Sequence, residues 1–189
     1  MRVANEATKE KFLIASVAEL EEHGVTDFSI RRVAQRCEVS CGAPYKHFKN
    51  KNELILEVIR YINRQWYAYQ TALIAGCGST REELIETSMG YISFLCDHPS
   101  FLAILLLNDK TMDTEQIAEK NAISNRTASL IETYCREVSM GQEDAIRKIY
   151  AVRSFIFGAA LMINGEVLPK DETTMRNIRY CISREFDLP

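Results

Sequence analysis

Apolar side chains recur every three to four positions along most of the chain, and no stretch alternates with period two over a useful length. Leu13, Val17 and Leu20 form one stripe, which stops at Gly24 in the position that favours a helix C-terminus. Ser29 is placed to cap a short helix carrying Ile30, Val33, Ala34 and Cys37. Ser40 is placed to cap a second short helix, Cys41–Lys49, with Tyr45 and Phe48. Asn50 and Glu53 have capping-box spacing and open a long helix. Its stripe of Ile55, Val58, Ile62, Trp66, Tyr69 and Leu73 follows the 3.6-residue period. Thr80 and Glu83 form a second box ahead of Leu84, Ser88, Ile92 and Leu95, and His98-Pro99 ends that helix. A short apolar helix from about Ser100 to Leu107 follows, then a polar connector over 108–116. Ile123, Thr127, Leu130, Tyr134 and Val138 mark the next helix, ended by Gly141. Another runs from Gln142 to Asn164, and Asp171 caps the last, with Met175, Ile178, Ile182 and Phe186. These periods predict an all-α chain of about nine helices, short ones before Asn50 and longer ones after it.

Charge divides the chain in a way its totals conceal. The net charge is −3 over 189 residues, which alone suggests no nucleic-acid partner. Between Arg31 and Lys51, however, six bases (Arg31, Arg32, Arg36, Lys46, Lys49, Lys51) accompany one acid, Glu38. From residue 53 onward 14 bases face 19 acids. A basic N-terminal head on an acidic body fits phosphate binding by the head alone.

The helical pattern refines this. Two short helices across Cys37-Glu-Val-Ser40 make a helix-turn-helix, about residues 29–48, whose second helix can enter a major groove about 12 Å wide. Ile30, Val33, Ala34 and Val39 supply the locking apolar contacts, and Cys41-Gly-Ala43 offers a smooth edge for close approach. Pro44 falls in a first turn, where a missing N–H costs little. Candidate DNA contacts on the first helix are Ser29, Arg31 and Arg32. The expected division is a DNA-binding domain over 1–50 and a ligand-binding and dimerisation domain over 51–189.

Phe12-Leu13, Gly24, Ser29-Ile30-Arg31, Val33-Ala34, Val39-Ser40 and then GAPYKHFKNKNEL resemble the TetR/AcrR family of helix-turn-helix transcriptional regulators. The most specific part is Tyr45-x-His47-Phe48-x-x-Lys51, and the resemblance covers about residues 10–66. It implies a homodimer on a pseudo-palindromic double-stranded operator, released by a small-molecule effector. It implies phosphate contacts at Tyr45 and Lys51, and a recognition helix lined by Ser40, Cys41, Gly42, Ala43 and Lys46. Arg31 matches a position that reaches a base or phosphate, and His47 one that faces the DNA backbone. Two positions depart from the pattern. Glu38 stands where glycine is common, at a cost of about 1 kcal/mol if its backbone is left-handed. Cys41 stands where a longer polar side chain is usual, which weakens base readout.

The body offers two further surfaces. Aromatics at helical spacing ordinarily mean core packing, but Trp66, Tyr69, Tyr91, Phe94, Phe101, Leu105, Tyr134 and Phe155 could line a pocket for a largely apolar effector. The stretch Phe155–Ile163 is apolar all round and must be covered on two sides. One side would meet the core. The other (Tyr150, Ser154, Phe157, Gly158 and Leu161), with Met175, Ile178 and Ile182 of the last helix, would meet a second copy.

Other classes find little support. No histidine lies in a triad arrangement, no GxSxG or HExxH occurs, and no catalytic residue is assigned. Cys37, Cys41 and His47 lack zinc-finger spacing, so neither metal nor cofactor is expected. The N-terminus has no signal-like apolar run, and nine apolar residues fall short of the about 20 that span a bilayer. A cytoplasmic location without a membrane partner is expected, with the six scattered cysteines as free thiols. The alternative is a helical small-molecule-binding or interaction protein whose head contacts another protein; an enzyme is a more distant one.

Overall fold

The computed structural model describes residues 2–24, 26–105 and 113–187, with side chains from Thr8 onward except that of Ala103. Among these residues there are eight α-helices and no strand. They are α1 (Arg2–His23), α2 (Ile30–Arg36), α3 (Lys51–Ile74), α4 (Thr80–Asp97), α5 (Pro99–Leu105), α6 (Thr114–Glu137), α7 (Gln142–Asn164) and α8 (Glu172–Glu185). The expected end of the fifth helix at Leu107, and most of the connector after it, lie outside the described residues.

The ninth expected helix, Cys41–Lys49, is instead a turn followed by a single 3-10 turn, Pro44–Lys46. The Ala43 N–H closes the first turn on the Ser40 carbonyl, and the N–H groups of His47 and Phe48 both reach the Pro44 carbonyl. Local chemistry explains the short form. Pro44 has no N–H to give, Ala43 at the N-cap has no side chain that accepts, and Asn50 restarts the chain one residue before α3.

Helix ends follow their caps. The Ser29 hydroxyl accepts from the Arg32 N–H, and Gly24 takes φ +68° after α1. Asn50 Oδ1 accepts the Glu53 N–H at 2.9 Å, while the Glu53 carboxylate turns back to the Lys49 N–H rather than to that of Asn50. The second box lies one residue earlier than expected: Ser79 is the cap, accepting from Glu82, whose carboxylate takes the Gly78 N–H. Asp113 and Gln116 form a reciprocal box that the pattern of apolar residues does not reveal.

The chain forms two compact units. The first contains residues 1–64 and 103–121. Its core is Phe12, Leu13, Leu20, Phe28, Val33, Ala34, Phe48, Leu54 and Val58. Val39, expected in this core, is exposed in the turn after α2. Asn63 Nδ2 donates to the Glu119 carbonyl at 2.8 Å, and Gln116 to that of Asn52 at 2.8 Å, so the start of α6 is tied to α3.

The second unit contains residues 65–102 and 122–189, with α4 at its centre. Ten consecutive or near-consecutive residues of α4, from Leu84 to Leu95, are buried, and α7 and α8 pack against this helix. Gly90 permits a close approach to α3: a Cβ there would meet Leu73 Cδ2 at 2.3 Å and Tyr69 Cε1 at 3.3 Å. On α7, Val152, Ile156, Ala159, Ala160 and Ile163 face inward, as the period predicts. No described helix is long and apolar enough to cross a membrane.

Candidate nucleic-acid interface

The head is built around a carboxylate. Glu19 is fully buried in α1, on the face that also carries Phe12 and Ser16. Its Oε1 accepts from Arg32 Nε at 2.5 Å and from the Ser29 N–H at 3.3 Å. Its Oε2 accepts from Arg36 Nε at 3.4 Å and lies 3.9 Å from His23 Nε2. Glu19 therefore ties α1 to both ends of α2 and satisfies charges that would otherwise be costly there. Arg36 also binds Glu22, a hydrogen bond that holds the Glu22 carboxyl below its usual range and raises Arg36.

This network sorts the basic residues. Arg32, expected to contact DNA, is committed to Glu19 and to the Asp27 carbonyl. Arg36 is likewise paired with acids of α1. Arg31, also on α2, is exposed, as are Lys46 and Lys49. Tyr45 stands out at 56% exposure, flanked by exposed Ser40, Cys41 and Gly42 and by half-buried Ala43. Lys51 is half-buried, its ammonium 5.7 Å from the Phe28 ring. His47 is half-buried with its ring 5.4 Å from that of Phe12, so it packs the 3-10 turn onto α1. Ser29 spends its hydroxyl on the α2 cap. Sequence reasoning missed Glu19, although a lone acid at a core position of an amphipathic helix was the available signal.

Glu38 takes φ 58°, the left-handed conformation that costs a non-glycine residue most. Its N–H bonds the Gln35 carbonyl, and the next N–H reaches Ala34. Glu38→Gly should stabilise the head by about 0.5–1 kcal/mol, read as a higher urea midpoint at unchanged m-value. A lower midpoint would show that the Glu38 side chain supplies more than its backbone strain costs.

In the second unit five of the eight candidate pocket residues come together. Trp66 lies 4.6 Å from Tyr91, 5.3 Å from Phe94 and 6.0 Å from Tyr69 between ring centroids, and Phe94 lies 5.5 Å from Phe101. His98 and Phe157 join this cluster without having been expected there, at 4.7 Å from Phe101 and 6.2 Å from Tyr91. The other three stand elsewhere. Tyr134 packs edge-on against Phe186 and donates its hydroxyl to that residue's carbonyl. Phe155 points out from α7, and Leu105 falls in the first unit.

The candidate dimer residues also divide. Tyr150 is 72% exposed, and Ser154 and Leu161 are exposed with it along α7. Gly158 and Met175 are half-buried, and Phe157 leans on Tyr91. Ile178 and Ile182, at 9% and 1% exposure, belong to the chain's own core, because α8 lays its apolar stripe onto α4 and α7. That leaves Tyr180 as the large apolar side chain that α8 exposes. Among the described residues no group of three or more potential ligands could hold a metal ion.

Comparison with known proteins bears on the head directly. Residues 12–58 match the model of bacterial regulatory proteins of the tetR family. The HTH-type transcriptional regulator YerO of Bacillus subtilis is 24% identical over 84% of this chain and 59% of its own length. The probable acrEF/envCD operon repressor of Escherichia coli K12 is 26% identical over 69% of this chain and 63% of its own length. This chain thus spans about three-fifths of the length of these two relatives. The crystal structure of the transcriptional regulator FadR from Bacillus subtilis, in complex with stearoyl-CoA, superposes with a TM-score of 0.74 at 14% identity, covering 93% of this chain and 98% of that one. The matched head spans α2, the turn after it and the exposed Tyr45, so it is over residues 12–58 that the chain is similar to bacterial regulatory proteins of the tetR family.

Proposed function

We propose that this protein is a ligand-responsive transcriptional repressor that binds a pseudo-palindromic DNA operator as a homodimer in the cytoplasm. The observation that carries this reading is the sorting of charge on the head. Glu19 and Glu22 absorb Arg32 and Arg36, while Arg31, Tyr45 and Lys46 remain exposed around a smooth Cys41-Gly42 edge. Such a surface suits phosphate contacts on either side of a groove. Arg31 has the fork to pair with guanine O6 and N7, whereas the Cys41 thiol reads bases poorly. Much of the specificity then comes from DNA shape.

The proposed division of labour places DNA binding in residues 1–50 and effector binding with dimerisation in 51–189. The α7 face of Tyr150, Ser154 and Leu161 supports a two-fold contact with a second copy. Half-sites would then be one helical turn apart, about 34–36 Å, or a multiple of it. The aromatic cluster around Trp66 supports a largely apolar effector, and any effector that releases DNA must itself bind more weakly to the DNA complex by the same factor.

Selection of binding sites from random DNA, followed by gel shifts across a salt series, tests the reading. The expected result is an enriched near-palindrome bound by a dimer, with log affinity falling linearly against log salt. No enrichment, or affinity indifferent to salt, would point instead to a head that contacts protein.

A further inference from the structure

Six buried side-chain polar atoms among the described residues have no hydrogen-bond partner. Two, Ser16 Oγ and Asn63 Oδ1, belong to the first unit. The other four are Trp66 Nε1, Gln70 Oε1, Tyr91 Oη and Thr127 Oγ1, all in the second. Folded cores pair nearly all such atoms, because an unpaired one keeps its full desolvation cost. Four on three neighbouring helices therefore require a reason.

Their placement supplies one. Trp66 and Gln70 lie one turn apart on α3, and Thr87 and Tyr91 one turn apart on α4. Gln70 Nε2 donates to Thr87 Oγ1 at 3.3 Å, which sets the two helices face to face and leaves the Gln70 carbonyl oxygen unused. Beside it the Trp66 and Tyr91 rings lie 4.6 Å apart. Helix α6 is held to the same part of α3 by the Tyr67 hydroxyl on the Ala122 carbonyl (2.6 Å) and by Arg126 on Thr71 (3.0 Å). Thr127 lies on its buried face with Ile123 and Ile131.

The geometry points to a binding site for an uncharged, planar molecule that carries one hydrogen-bond acceptor and one donor, held by Trp66, Gln70 and Tyr91. The inference rests on the effector-responsive reading above and specifies the chemistry of the effector. Trp66 Nε1 only donates, Tyr91 donates readily, and the Gln70 oxygen only accepts. A ligand acceptor satisfies the first two and a ligand donor the third. Planarity follows from the flanking Trp66, Tyr91 and Phe94 rings, which stack on or edge a flat group. Neutrality follows from the surroundings. Lys148 is the one buried charged side chain among the described residues of this unit, and it bonds the Glu185 carbonyl; Arg153, whose charge is felt at Tyr91, is exposed to solvent, and burial outweighs it there. Burial also pushes the Tyr91 phenol up, keeping it a neutral donor.

Trp66 is the only tryptophan of the chain, so its emission reports this site alone. The probe is acetanilide, a neutral planar amide with one acceptor and one donor. Propylbenzene lacks its polar atoms, and phenylacetate carries a charge. Acetanilide should shift Trp66 emission saturably, and both comparison compounds should bind at least roughly tenfold more weakly. Tyr91→Phe should weaken acetanilide roughly fivefold to tenfold while leaving the thermal midpoint of the free protein unchanged or raised, since it deletes an unpaired hydroxyl. Equal binding of propylbenzene, preference for phenylacetate, no saturable response to acetanilide, or a lowered midpoint for Tyr91→Phe would each overturn the inference. A parallel gel shift separates the two readings. Salt-dependent operator binding without an acetanilide response leaves the repressor standing and removes this site, whereas absence of DNA binding removes the repressor.

Discussion

Glu19→Ala should destabilise the head by about 2–4 kcal/mol and abolish operator binding, although Glu19 is fully buried and cannot touch DNA. The substitution leaves the Ser29 N–H without its acceptor and takes one acceptor from each of two guanidinium groups, Arg32 keeping the Asp27 carbonyl and Arg36 keeping Glu22. Removing one partner of a fully buried ion pair costs about 3–5 kcal/mol. Here the cost is smaller, because the Arg32 and Arg36 side chains keep 39% and 29% of their exposure and can turn to water. Glu19→Gln retains an acceptor for Ser29 and should lose less. Glu22→Ala, at an exposed partner of the same Arg36, should lose the least of the three. Urea unfolding of the three variants provides the ranking. An Ala variant within about 0.5 kcal/mol of the parent would mean that the network does not hold α2 in place.

The second large effect separates contact from scaffold. Arg31→Ala with Lys46→Ala should weaken operator binding by roughly a hundredfold to a thousandfold at about 0.15 M salt, with little change in stability. Both side chains are exposed. In a dimer the pair of substitutions removes two Arg31 base contacts and two Lys46 phosphate contacts, and each phosphate contact contributes about 0.9 to the slope of log affinity against log salt. The slope should therefore fall by about 1.8, with the rest of the loss coming from base readout. Arg32→Ala provides the contrast: paired with Glu19, it should lower the unfolding midpoint and leave the slope of the folded protein alone. If Arg32→Ala flattens the slope as much as the double variant does, the sorting of charge proposed for the head is wrong.

These predictions show where reading the chain as a string succeeds. Helices and their caps are local, so Ser29, Asn50 and Asp171 could be placed from nearby residues alone. Their detail was less legible: Ser79 rather than Thr80 caps α4, because adjacent hydroxyls compete for one role and backbone geometry chooses between them. The recognition segment was misjudged for a related reason. Its composition allows a helix, but Pro44 and the uncapped Ala43 let only a 3-10 turn form between two better-defined elements.

The candidate sites were legible in kind and less so in membership. Trp66, Tyr69, Tyr91, Phe94 and Phe101 do cluster, since each sits on the inward stripe of its own helix or beside it. Tyr134 and Phe155 do not, because a stripe says that a residue faces a neighbour without saying which one. Ile178 and Ile182 were assigned to a partner copy for the same reason, and the chain itself covers them.

By itself the sequence determined the helical class, the order and approximate lengths of the helices, and the basic character of residues 31–51, because period, capping and charge are properties of neighbours along the chain. Tertiary structure alone decided which of those charges remain available, which aromatic rings meet and which buried polar atoms stay unpaired. Glu19 is separated from Arg32 and Arg36 by 13 and 17 residues, and Trp66 from Tyr91 by 25; only packing of one helix on another brings them within reach.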